Sequence, residues 1–242
     1  MDGRGEKILG VLGGMGPIAS AEFMRTIYER AAAPREQDSP RVVLYSDPTF
    51  PDRTEQLLAG VEGPLFDQLV AALRRLRGFG ASPIVICCVT IHHLLPRVPE
   101  ELRRHVLSLL DVTFERVAES RRPHLLLCTT GTRRLRLFES HRLWPTCADY
   151  FVLPSGPDQE AIHDLIYRVK SGDDVRSLAP RVEELLARYG LDSFVVGCTE
   201  THILAKHLAA ARPGRFVCVD PLTVVAESWA EEVMESWAEE VI

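Results

Sequence analysis

A chain of 242 residues, 46% apolar and 26% charged, has the make-up of an ordinary globular protein, and it can bury a sizeable core as one large α/β unit or as two domains of roughly 100 to 120 residues each. Its 28 Lys and Arg against 34 Asp and Glu leave a net charge of −6, the wrong sign for neutralising phosphates, so no nucleic-acid partner is expected. No apolar run reaches the roughly 18–20 residues that span a bilayer, and the opening MDGRGEKILG lacks a signal-peptide core, so the chain is expected in the cytoplasm with no membrane partner.

Residues 7–13 (KILGVLG) read as a buried strand, and GMGPIASAEFMRTIYERAAA after it as a helix with Pro17 in its first turn. RVVLYS (41–46) is a second strand, DPTFPDRT a loop rich in Pro and Asp, 54–77 a helical stretch and PIVIC a third strand. The alternation predicts parallel βαβ units. It restarts after about residue 112 with the strand HLLLC (124–128), the helix TGTRRLRLFES and the strand YFVLP (150–154). Helical patterns at 158–170 and 174–188, the strand SFVVG, a helix, the strand RFVCV (215–219) and a final helix follow. The expected fold is α/β: two similar Rossmann-like or flavodoxin-like domains, 1–112 and 113–220, each with a parallel sheet. No Gly/Ser linker separates them, so they should pack closely across a cleft, with the helix 221–242 returning to the first domain. That helix carries a tandem octapeptide, ESWAEEVM then ESWAEEVI. Eight residues advance a helix about 80° past two turns, so Trp229 and Trp237 cannot share one narrow face.

Two stretches carry the same chemistry. In IVICCVTIHHLLP (84–96) and FVVGCTETHIL (194–204), an apolar run ends in a cysteine with a histidine four residues on, Cys88 with His92 and Cys198 with His202. Both cysteines fall at the carboxyl end of a parallel strand and at a helix opening, where open α/β sheets bind ligands and the helix dipole eases ionisation of a thiol. Two such elements in facing domains bring two thiols to one ligand from opposite sides. That arrangement suits racemisation through a carbanion, which needs a base on one face of a carbon and an acid on the other. Cys87, Cys128, Cys147 and Cys218 read as reduced core thiols. Two other readings stand beside this one: a Cys2His2 metal site from the two CxxxH pairs, and a dinucleotide site from GMGPIA. The second needs a ribose-binding acid about 20 residues on, whereas the candidate, Asp47, lies more than 30 residues away. A turn cradling a small anion fits the GGMGP loop better.

GGMGP, PDRT, CxTxH, TxGT and GCTE, in that order, resemble the motifs of the cofactor-independent aspartate/glutamate racemase superfamily, nearest its aspartate racemase branch, over about residues 7 to 225. The resemblance implies two pseudo-twofold-related α/β domains around a small carboxylate or amino-acid substrate. It implies Cys88 and Cys198 as the acid/base pair at the α-carbon, with no pyridoxal phosphate or other cofactor and no metal, in a homodimer. It also implies substrate contacts from Gly14 and Met15 in the GGMGP loop, from Arg53 of PDRT, and from Thr90, Thr132 and Thr199. Tyr167 and Lys170 resemble a Tyr and Lys pair of the superfamily, with a spacing one residue shorter. The chain departs from the superfamily's usual CNTAH at Val89, which stands where relatives carry Asn, and, after GCTE, at Thr201-His202, where relatives more often carry apolar residues. Val89 keeps a second expectation open, the same scaffold acting as an isomerase, decarboxylase or other enzyme on a nonstandard carboxylate; a third is a ligand-binding protein without turnover.

Overall fold

The computed structural model describes residues 7–33 and 35–238, the last six without their side chains. Its first half runs β1 (Leu9–Gly13), α1 (Pro17–Arg30), β2 (Val42–Ser46), α2 (Arg53–Leu58), α3 (Gly63–Gly78), β3 (Ile84–Ile86), a 3₁₀ segment Thr90–Arg97, α4 (Glu100–Arg103) and β4 (Val106–Leu107). Helix α5 (Leu109–Ser120) leads into β5 (His124–Leu127), α6 (Thr130–Arg134), α7 (Trp144–Cys147), β6 (Phe151–Val152), α8 (Gly156–Lys170) and α9 (Val175–Arg188). The chain closes with β7 (Ser193–Val196), α10 (Glu200–Ala211), β8 (Val217–Val219) and α11 (Pro221–Ala238). Among the described residues no helix is long and apolar enough to cross a membrane.

The strands form two four-stranded parallel sheets of one topology, β2-β1-β3-β4 and β6-β5-β7-β8. This is the expected pair of α/β units. Strands β1, β3, β5 and β7 are buried along their whole length, as parallel strands covered by helices on both faces must be, and this is why they read as unbroken apolar runs. In each sheet the order reverses between the first and third strands, so a crevice opens beyond the carboxyl ends of β1 and β3, and another beyond β5 and β7.

Two apolar clusters serve one half each, Leu12, Leu69, Leu73 and Ile86 marking the first, and Leu125, Ile162, Val182 and Val196 the second. A third joins the halves: Leu9, Phe23, Val85 and Val89 meet Leu126, Cys128, Phe138 and Val195, and α11 adds Leu222 and Trp229. Helix α11 packs on α1 and α5. Trp229 is buried there, and the side chain of Trp237 lies outside the described residues.

Four elements differ from expectation. The single helix expected over 54–77 is two, because Gly60 takes φ +71° and turns the chain between α2 and α3. The helix TGTRRLRLFES stops at Arg134, and Arg136 sits at φ 51°. The two-residue strand β4 and the helix α5 after it carried no signal in the alternation.

Candidate active site

Sheet register makes the two cysteines equivalent. Leu12 pairs with Ile86 in the first sheet and Leu127 with Val196 in the second. One residue on, the Cys87 amide donates to Leu12 O at 2.8 Å and the Gly197 amide to Leu127 O at 2.9 Å. Cys88 and Cys198 follow directly. They are 6% and 5% exposed, and both line one cavity between the halves.

The histidines of the two motifs do matching structural work. The His92 Nδ1–H donates to the Cys88 carbonyl at 2.9 Å and its Nε2 accepts from the Leu109 amide at 3.2 Å, tying the Cys88 loop to the start of α5. Burial pushes His92 down to about 4, so the ring is neutral. His202 reaches the start of α11 instead. Its Nδ1 lies 2.5 Å from Asp220 Oδ2, and Asp220 Oδ1 accepts from the amides of Leu222 and Thr223. Its Nε2 meets Thr26 Oγ1, from the other half, at 2.9 Å. With all four ring nitrogens committed away from the thiols, the Cys2His2 reading fails on geometry. The dinucleotide reading fails likewise: Asp47 is taken up by Thr49 and Tyr45 beside it and by Gln68 of α3.

The expected residues Met15, Arg53, Thr90 and Lys170 join the cysteines at the cavity. Gly14, at φ +91°, makes the turn that presents Met15; a Cβ there would collide with the Asp47 backbone. Arg53 is buried, donating to the carbonyls of Met15 at 2.9 Å, Pro51 at 3.0 Å and Phe50 at 3.3 Å, while its Nε has no partner among the described residues. Burial works against the Arg53 charge, but Cys88 and Asp52 beside it outweigh burial and hold the guanidinium more firmly protonated than usual. Thr132 stands one layer back, its hydroxyl 2.9 Å from that of Thr90 and 3.1 Å from that of Thr129. Thr199 also faces away and donates to the Cys87 carbonyl at 3.2 Å, stitching the halves. Val89, 2% exposed, packs in the shared apolar cluster and is not among the cavity-lining residues. The position at which the resemblance implied a substrate contact thus faces core in this chain.

Residues not anticipated complete the wall: Asp52, Thr54, Thr129 and Glu200. The Cys198 thiol donates to Glu200 Oε2 at 2.9 Å. Burial first, and then the Glu200 charge, push this thiol well up. The easier ionisation expected from the helix opening is therefore overturned at Cys198, where desolvation and a like charge outweigh the dipole. Tyr167, resting under Lys170 Nζ at 4.4 Å from its ring centroid, donates to Asp52 Oδ2 at 2.7 Å across the halves. Burial raises Asp52, yet the hydrogen bonds from Tyr167 and the Glu55 amide and the Arg53 charge leave it below the usual carboxylate range. The walls close tightly. The cavity measures about 10 Å³, room for a single water, against roughly 300–1,000 Å³ for small-molecule sites. A larger groove of about 690 Å³, lined by His93, Asp111 and Arg142 among others, contains neither cysteine.

Residues 12–228 match the Asp/Glu/Hydantoin racemase family model. The chain belongs to that family, and so to the isomerases. Three solved structures share the fold. An aspartate racemase from Picrophilus torridus is 24% identical with a TM-score of 0.80, each chain covered over 94% of its length. A Yersinia pestis protein provisionally described as an Asp/Glu racemase is 23% identical with a TM-score of 0.68, covering 94% of this chain and 99% of that one. An aspartate racemase homologue from Pyrococcus horikoshii is 19% identical with a TM-score of 0.65, covering 95% and 99%.

Proposed function

We propose that the chain is a cofactor-independent racemase that moves the α-proton of an acidic or related amino acid between Cys88 and Cys198. The observation that carries this reading is the register-equivalent pair of buried cysteines sharing one cavity with two cations, Arg53 and Lys170. Arg53 offers its free Nε and remaining protons to the α-carboxylate, and partial neutralisation of that carboxylate is what makes the carbanion accessible. Lys170 is available to a second carboxylate.

The surroundings of the two thiols are not symmetric. A thiolate at Cys88 faces a guanidinium, whereas one at Cys198 faces a carboxylate. Cys198, its thiol pushed well up by burial and the Glu200 charge, keeps its proton in the resting enzyme. A 10 Å³ cavity also requires the halves to part before substrate enters. Homodimerisation and a cytoplasmic setting belong to the same proposal, and sedimentation at micromolar concentration checks the first. The reading is tested by incubating the reduced protein with a panel of L- and D-amino acids in D2O, aspartate and glutamate first, and following loss of the α-proton by NMR. Exchange with inversion for an acidic amino acid is expected; its absence across the panel overturns the proposal.

A further inference from the structure

Glu200 opens α10 and is 1% exposed. One of its oxygens, Oε2, accepts from Cys198 Sγ at 2.9 Å, with Thr199 Oγ1 3.4 Å away. The other, Oε1, is buried with no hydrogen-bond donor among the described residues, and Lys170 Nζ stands 3.9 Å away, outside hydrogen-bond reach. Oε1 lies against Gly16, where a Cβ would collide with it, so the last glycine of the GGMGP loop leaves the space this carboxylate fills. An anionic oxygen held out of water without a donor is costly, and such an atom in a native site asks for a partner that arrives with the ligand.

The cavity wall leaves few other acceptors for a nitrogen. Asp52 is occupied by the Tyr167 hydroxyl and the Glu55 amide. The Thr90 and Thr129 hydroxyls are bonded to one another and to Thr132. Val89 has turned into the core. We infer that Glu200 Oε1 receives the protonated nitrogen of the substrate, and that this contact restricts the site to carbon acids bearing an N–H donor beside the carboxylate. The inference rests on the racemase reading above and adds the specificity determinant to it. Because the same carboxylate binds the Cys198 thiol through Oε2, a nitrogen on Oε1 sets the adjacent α-carbon next to Cys198 Sγ. Glu200 thus positions the substrate and the proton donor together.

The test compares equilibrium binding of aspartate and of succinate, its counterpart without the nitrogen, to the wild-type protein and to Glu200→Gln. Wild type should prefer aspartate. The variant should lose that preference by about 10- to 100-fold, the range set by a hydrogen bond to a charged group, while succinate affinity stays within about threefold. Glu200→Asp, which keeps the charge and shortens the arm, should retain an intermediate preference and guards against a variant that merely fails to fold. An unchanged aspartate-to-succinate ratio in a folded Glu200→Gln protein overturns the assignment. Wild type that exchanges no amino-acid α-proton in the panel experiment would instead sink the racemase reading, before any variant is made.

Discussion

Replacing Tyr167 with Phe should make both cavity thiols, Cys88 and Cys198, easier to reach. The phenol donates to Asp52 Oδ2 at 2.7 Å and so fastens α8 to the loop before α2 across the cleft. A hydrogen bond to a charged group contributes about 1.5–3 kcal/mol when dry. Both partners are only partly buried, and Asp52 keeps the Glu55 amide, so about 1 kcal/mol is the better figure, a roughly fivefold shift from closed toward open. Iodoacetamide cannot enter a 10 Å³ cavity, so alkylation of Cys88 and Cys198 proceeds through the open form. The rates at both cysteines, followed by peptide mass mapping at pH 7, should rise about fivefold together in Tyr167→Phe. Equal rates in wild type and a variant of unchanged thermal stability would refute the claim that this bond restrains opening.

Val89→Asn places an amide in the shared apolar cluster. It should cost about 1–3 kcal/mol in urea unfolding without improving binding of any amino acid; tighter binding would show that the position reaches the cleft. His92 titrates near 4 when folded and near 6.5 when unfolded, so the unfolded chain binds more protons between these values. The contribution of neutral His92 is present above about pH 6.5 and lost as pH falls toward 4, about 2 kcal/mol between pH 7 and pH 5. Urea titrations of wild type and His92→Gln should show that much less pH dependence in the variant.

The central strands and the cysteines at their carboxyl ends were legible in the sequence because both are local. A parallel strand covered on two faces is an unbroken apolar run, and Cys88 and Cys198 each stand at the end of one. Gly60 hid the break between α2 and α3, since one glycine in an otherwise helical pattern reads as tolerable until its φ is known. The β4 strand is two residues long and leaves no period to detect. At the site, what was missed joins distant parts of the chain: Tyr167 meets Asp52 across 115 positions, and nothing near either residue marks the pairing. Glu200 stood in view within GCTE, yet the part proposed for it depends on Gly16 and Lys170, which only the fold brings beside it. The same limit explains Val89, expected at the cleft from its place beside Cys88 in the motif, which the local turn directs into the core.

The proposal that two thiols act from opposite sides of one carbon is tested most directly by the fate of deuterium at early times. With an L-amino acid substrate in D2O, a two-base enzyme should form D-product carrying deuterium at Cα while the remaining L-pool keeps its protium. Both Cys88→Ala and Cys198→Ala should lose inversion. Deuterium appearing equally in both enantiomers from the first turnovers, or inversion persisting in either cysteine variant, would contradict the account.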